Sequence, residues 1–143
     1  MPLVEDNETL RHILLNARTI AVVGLSEKPW RDSHTVSAYL QDKGYRIIPV
    51  NPVISSVLGV KSVPRLEDIE EQVDIVDVFR RPGYVPAIVE SAIDIGAETL
   101  WLQSGIIHEA AAIRASEAGM NVVMDRCIRV AHSLLVRQNY SRA

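Results

Sequence analysis

The 143 residues, 48% hydrophobic and 23% charged, suffice to bury about two thirds of the unfolded surface around one core. A formal charge of −3 provides no global field for nucleic acid or an anionic membrane, so any anionic ligand has to be met by positive groups placed locally. No apolar stretch nears the ~20 residues of a membrane span, and the start MPLVEDNETL has neither the basic beginning nor the apolar centre of a signal peptide. With one cysteine, Cys127, an internal disulfide is excluded and a reducing, cytoplasmic setting is expected.

In chain order, the first predicted element is a helix with Leu10, Ile13, Leu14 and Ala17 on one face and Asp6 or Asn7 as its cap. Strand-like runs follow at Ile20–Leu25, Tyr45–Val50, Asp74–Phe79, Thr99–Leu102 and Asn121–Met124, rich in Val, Ile or Leu and mostly without polar alternation. That pattern predicts buried, parallel strands. Between them lie helical stretches whose inward faces are read as Val36, Tyr39 and Leu40, then Val85, Ile88, Val89 and Ala92, then a weaker Ala110, Ile113 and Ala118. A last helix follows Cys127, with Ile128, Ala131, Leu134 and Leu135 expected inward. Gly44, Gly96 and Gly119 stand where helices end in a left-handed cap. The least regular stretch, Pro52–Asp68, is expected to hold a short strand near Val60–Val63 and a helical turn at Leu66–Ile69. The alternation predicts an α/β fold: a doubly wound, mostly parallel, Rossmann-like sheet of five to six strands with helices on both faces. One domain is expected over residues 1–143, with residues 1–17 as a helix packed on it.

In such sheets ligands bind beyond the carboxyl ends of the strands. The residues there are Ser26 to Ser33, Asn51-Pro52, Arg80-Arg81-Pro82, Gln103-Ser104-Gly105 and Asp125-Arg126-Cys127, a cationic and hydrogen-bonding set. The first loop begins like the dinucleotide fingerprint G-x-G-x-x-G, yet at its three positions it carries Gly24, Ser26 and Pro29. Ser26 adds a side chain where backbone must approach a pyrophosphate, and Pro29 lacks an N–H. The loop instead offers Ser26, Lys28, Arg31 and Ser33 before a helix expected to start at about Ser33 or His34, whose free N–H groups suit a phosphate. The alternative is a charged turn in which Asp32 or Ser33 caps the helix. Asn51 stands where NAD-dependent proteins place a ribose-binding carboxylate, and a neutral amide tolerates a phosphorylated ribose, unless Asn51-Pro52 only starts a turn. Phe79, Arg80 and Arg81 bring a stacking surface and guanidinium groups, and Gln103, Ser104, Gly105 and Ile106 bring a flexible turn.

The stretches VVGLSEKPWRDSHTV, GYRIIPVNP, VDIVDVFRRP, LWLQSGI and VVMDRCI closely resemble small bacterial and archaeal CoA-binding proteins, a CoA-binding domain of Rossmann-like fold. More distantly the chain is similar to the N-terminal CoA-binding domain of the succinyl-CoA synthetase α subunit. The resemblance implies coenzyme A or an acyl-CoA as ligand, held by its nucleotide part. It implies a site lined by Gly24, Ser26, Pro29, Arg31, Asn51, Pro52, Phe79, Arg80, Gln103, Gly105 and Ile106. The pyrophosphate and ribose 3′-phosphate of CoA would account for both the cations and the missing ribose carboxylate.

Catalytic residues are not found. The synthetase's phosphorylated histidine stands on a second domain, and His12, His34, His108 and His132 have no metal-ligand spacing, so no metal site is expected. No nucleophile, base and orienting acid form a triad, and Asp74 and Asp77 face opposite sides of a strand. Cys127 follows a strand at the ligand edge beside Arg126 and opens a helix, a setting that favours thiolate, and a redox-sensitive mixed disulfide with the CoA thiol is one reading of it. An unreactive, partly buried cysteine is the other. The expected role is a non-catalytic carrier, sensor or accessory protein. The rivals are an NADP-binding oxidoreductase-like protein and a ligand-free interaction module.

Overall fold

A computed structural model describes residues 3–136. Five strands, β1 (Thr19–Val23), β2 (Arg46–Val50), β5 (Ile75–Val78), β6 (Thr99–Leu102) and β7 (Asn121–Val123), form one sheet in the order β2-β1-β5-β6-β7. Every pairing is parallel, with Ile20 opposite Ile47 on one side and Ile75 on the other. Between β2 and β5 a small antiparallel hairpin, β3 (Ser56–Val57) with β4 (Val60–Lys61), stands outside this sheet.

The expected strand at Val60–Val63 is thus divided. Its first half is a hairpin arm, and Val63 alone makes a parallel bridge to Val50. The Val63 N–H donates to the Pro49 carbonyl at 3.0 Å and the Asn51 N–H to the Val63 carbonyl at 2.9 Å. This single bridge covers the edge of β2, where Pro49, lacking an N–H, is tolerated. The turn expected at Leu66–Ile69 is a 3-10 turn at Leu66–Asp68.

The sheet is doubly wound because successive strand residues feed opposite cores. Ile20, Val22, Ile47, Ile75 and Trp101 pack under the helices α1 (Asn7–Asn16), α2 (Asp32–Asp42) and α5 (Ile128–Leu135). Ala21, Val23, Val76, Val78, Leu100 and Leu102 pack under α3 (Val85–Asp94) and α4 (Glu109–Glu117). Asp6 caps α1 by accepting the Thr9 N–H at 2.9 Å. Gly44, Gly96 and Gly119 follow α2, α3 and α4 with positive φ, as their positions predict.

Two helix faces differ from expectation. In α4 the buried residues are Ala111, Ala112 and Ala115, while Ala110, Ile113 and Ala118 are exposed, Ile113 by 48%. Three alanines let α4 lie close on the sheet and α3, and the bulkier Ile113 turns outward. In α5 Leu134 is 63% exposed and His132 is buried instead. His132 has a polar partner there, its Nδ1 lying 2.9 Å from the Tyr39 hydroxyl on α2.

No helix among the described residues is long and apolar enough to cross a membrane. Chain direction reverses about the sheet between β1 and β5, so the carboxyl ends of these two strands flank the switch point where open sheets hold ligands.

Candidate functional site

Two adjoining cavities open at that edge. The first, about 530 Å³, lies between the loop after β1 (Gly24, Ser26, Glu27, Lys28), the loop after β2 (Asn51 to Ile54) and the end of β5 (Phe79, Arg80). The second, about 590 Å³, is bounded by Phe79 to Pro82, by Gln103 to Ile106 after β6, by Asp32, Thr35 and Val36 of α2, and by Cys127, Arg129 and Val130. Phe79 and Arg80 line both and mark the junction. Four cations, Lys28, Arg80, Arg81 and Arg129, face two carboxylates, Glu27 and Asp32, so this edge is positive in an acidic chain.

Of the residues predicted from sequence, Gly24, Ser26, Lys28, Asn51, Pro52, Phe79, Arg80, Arg81, Gln103, Ser104, Gly105, Ile106 and Cys127 line one or both cavities. Pro29, Arg31, Ser33 and Arg126 line neither. Arg31 is the N-cap of α2, which starts at Asp32, a residue or two earlier than expected, and no side chain caps it. Ser33 is 6% exposed, and its hydroxyl oxygen accepts the Ser26 N–H at 3.0 Å. The Ser26 hydroxyl oxygen in turn accepts the Lys28 N–H at 3.1 Å, and the Arg31 N–H donates to the Lys28 carbonyl at 3.1 Å. Three loop N–H groups, of Ser26, Lys28 and Arg31, and the Ser26 hydroxyl oxygen are therefore engaged in bracing the loop. Its remaining cation in the first cavity is Lys28.

Asn51 is similarly committed. Its Nδ2 donates to the Leu25 carbonyl at 3.0 Å and its Oδ1 accepts the Val53 N–H at 2.8 Å. The amide ties the first two loops together and starts the turn that Asn-Pro suggests. Gln103, 5% exposed, uses its Oε1 to accept the Ile128 N–H at 3.1 Å, which satisfies a donor at the start of α5. Arg126 is held by its backbone: its N–H donates to the Leu102 carbonyl at 3.1 Å, and its carbonyl accepts from Trp101 Nε1 at 2.9 Å. Gly105 N–H donates to Asp125 Oδ1 at 2.7 Å, so the loops after β6 and β7 are also tied. Cys127, half-buried, is the N-cap of α5 with no side-chain hydrogen bond to the helix.

Gly24 and Arg80 define the junction. Gly24 has φ +89°, and a Cβ there would stand 2.7 Å from the Phe79 carbonyl oxygen and 2.9 Å from Arg80 Cδ. Only a residue without a side chain lets the ends of β1 and β5 meet with the arginine stem across them. Beneath, Asp77 of β5 is fully buried, its carboxylate oxygens without a hydrogen bond among the described residues, and burial pushes its pKa well above the usual carboxylate range.

Sequence reasoning missed Arg129, Thr35 and Val130 in the second cavity, which stand on helix turns rather than in strand-end loops. The first turns of α2 and α5 were the available signal. A third cavity, about 470 Å³, lies at the opposite edge among Arg18, Lys43, Tyr45 and Arg46. There Arg46 is already paired with Glu71 at 2.6 Å and the Tyr45 hydroxyl donates to the Leu14 carbonyl, leaving less unspent chemistry. Among the described residues no three His, Cys, Asp or Glu side chains are grouped to hold a metal ion.

Known proteins give the chain a context. The chain is 46% identical over 125 residues to the uncharacterized protein YneT of Bacillus subtilis (strain 168), covering 87% of this chain and 93% of that one. The solved structure of a hypothetical protein from Pyrococcus horikoshii OT3 matches with a TM-score of 0.90 at 37% identity, covering 95% and 97% of the two chains. A distant similarity, 23% over 73 residues, links 51% of this chain to 10% of the ADP-forming acetate–CoA ligase of Methanocaldococcus jannaschii. Residues 18–133, from the approach to β1 into α5, match the CoA binding domain, and the chain belongs to that family.

Proposed function

We propose that the protein binds coenzyme A or an acyl-CoA by its nucleotide part, laid across the two cavities at the carboxyl edge of the sheet. We further propose that it works as a carrier, sensor or accessory subunit and not as an enzyme. The observation that carries this reading, beside family membership, is Arg80: a half-buried guanidinium at the junction of two cavities, with no carboxylate partner among the described residues. A buried or half-buried cation without a counter-charge calls for an anion. A CoA role fits the cytoplasm, where CoA and reduced thiols reside.

The NADP-binding alternative has less support. Ser26 and Pro29 replace fingerprint glycines, and the position of the ribose-binding carboxylate holds Asn51, a neutral amide already tied to Leu25 and Val53. Thermal shift with CoA, dephospho-CoA, NAD and NADP separates the readings. At about 100 times its dissociation constant, CoA is expected to stabilise the fold by ~2.7 kcal/mol, a rise of several degrees at this size. CoA should outrank dephospho-CoA, and both should outrank the dinucleotides. A larger shift with NADP would replace the reading, and silence from all four would favour an interaction module. The same samples treated with CoA disulfide test Cys127: its thiolate would displace one CoA thiol and keep the other as a mixed disulfide. Intact mass without a reductant-sensitive CoA adduct would leave Cys127 a packing residue.

A further inference from the structure

We propose that Tyr84 is a positioning residue for the anion site, its ring holding the Arg80 guanidinium at the junction of the two cavities before ligand arrives. The proposal rests on the CoA reading of that groove and deepens it.

Three observations converge. The Arg80 stem crosses Gly24 so closely that a Cβ would come within 2.9 Å of its Cδ. At the far end, the Arg80 guanidinium carbon lies 4.0 Å from the centroid of the Tyr84 ring, well inside the ~6 Å reach of a cation–π contact. Between these two seats the charge is unspent. Arg46, Arg65 and Arg114 each hold a carboxylate, whereas Arg80 makes no ion pair among the described residues. The guanidinium is therefore fixed in place without being neutralised.

The local sequence builds this seat. After β5 the chain reads Phe79-Arg80-Arg81-Pro82-Gly83-Tyr84, and Pro82–Tyr84 is a 3-10 turn in which the Tyr84 N–H donates to the Arg81 carbonyl at 2.9 Å. The turn brings the tyrosine back over the first arginine of the pair. Tyr84 is 50% exposed and belongs to neither core, so the fold does not account for its ring. An arginine free in water loses rotamer freedom when it grips an anion, and stacking it beforehand removes part of that cost.

The test is calorimetric titration of wild type, Tyr84→Leu, Tyr84→Phe, Arg80→Ala and the Arg80→Ala/Tyr84→Leu double variant. Two probes are used, CoA and inorganic pyrophosphate, and unfolding midpoints are recorded alongside. Tyr84→Leu should weaken both probes by roughly three- to tenfold with an unchanged midpoint. Tyr84→Phe, which keeps the ring, should stay within about twofold of wild type. The double variant should be no weaker than Arg80→Ala, because the tyrosine acts through the arginine. Wild-type affinity in Tyr84→Leu, equal loss in Tyr84→Phe, or a full further loss in the double variant would each overturn the proposal while leaving the CoA reading intact. Pyrophosphate binding that depends on Tyr84, without CoA binding, would keep the proposal and retire that reading. A wild type that binds neither probe would end both.

Discussion

Asp77 is the residue whose chemistry departs furthest from its surroundings. It stands in β5 opposite Val22 of β1 and Trp101 of β6, fully buried, on the face covered by α1, α2 and α5. Among the described residues neither of its oxygens has a partner, and the buried Ser37 hydroxyl of α2 also lacks one. The other buried titratable group on this face, His132, is engaged with Tyr39. Loss of hydration disfavours the carboxylate, so the folded protein keeps a proton that the unfolded chain releases near the ordinary value of about 3.9. The sign follows from linkage. Above about pH 4 the folded state binds more protons than the unfolded, so stability falls as pH rises toward the elevated folded value. Asp77→Asn, of nearly the same shape, removes that dependence. It should match wild type near pH 4 and exceed it by at least about 1 kcal/mol at pH 7, read from urea unfolding at both values. Exposed carboxylates paired with arginine, Glu71 and Glu90, are shifted the other way, and their effect cancels between the two proteins. A difference that does not grow between pH 4 and 7 would show Asp77 to be ionised or hydrated in the fold. In the sequence, VDIVDVF announces a buried strand, but spacing alone does not reveal that one aspartate is fully enclosed while the other, Asp74, accepts the Arg18 and Thr19 N–H groups at 2.8 and 2.9 Å.

At the scale of elements, the loop between β1 and α2 shows where sequence reading ends. Its position, its broken fingerprint and its place at the carboxyl edge of the sheet are all legible from Gly24, Ser26 and Pro29. Its internal bracing is not, because Ser33 could cap the helix or turn back, and only packing decides. Ser33 turns back to the Ser26 N–H. Ser33→Ala should therefore cost about 1 kcal/mol, the usual result of leaving a partly buried N–H without its acceptor. It should also weaken CoA binding, since Ser26 and Lys28 would lose their fixed position. Chemical unfolding and titration together check this, and a loss of affinity at unchanged stability would point to direct contact by Ser33 instead. The helices carry the same lesson. Periodicity placed α4 and α5 correctly, yet which side faces inward depended on three alanines allowing close approach and on Tyr39 giving His132 a partner.

For the whole molecule, parallel order was legible because β1, β5 and β6 are buried throughout and the glycine caps Gly44, Gly96 and Gly119 separate helices from β2, β6 and β7. The outer edge was legible only in part: the strand near Val60–Val63 was expected, but two-residue strands and a single bridge at Val63 leave almost no periodic signal of the hairpin. Charge follows the same division. The chain is acidic as a whole but gathers Lys28, Arg80, Arg81 and Arg129 at one end of the sheet. A ligand with three phosphates is attracted by that end and repelled by the remainder, so its affinity should fall with ionic strength. The Debye length shrinks from about 10 Å at 0.1 M salt to about 3 Å at 1 M, which screens exposed charges more than enclosed ones. Arg81 is exposed and Arg80 half-buried. Arg81→Ala should consequently flatten the dependence of CoA affinity on salt, whereas Arg80→Ala should lower affinity at every salt concentration with a slope closer to wild type. Titrations across that salt range decide the matter: equal slopes in the two variants would mean that the cations act as one diffuse field and that the junction holds no special charge.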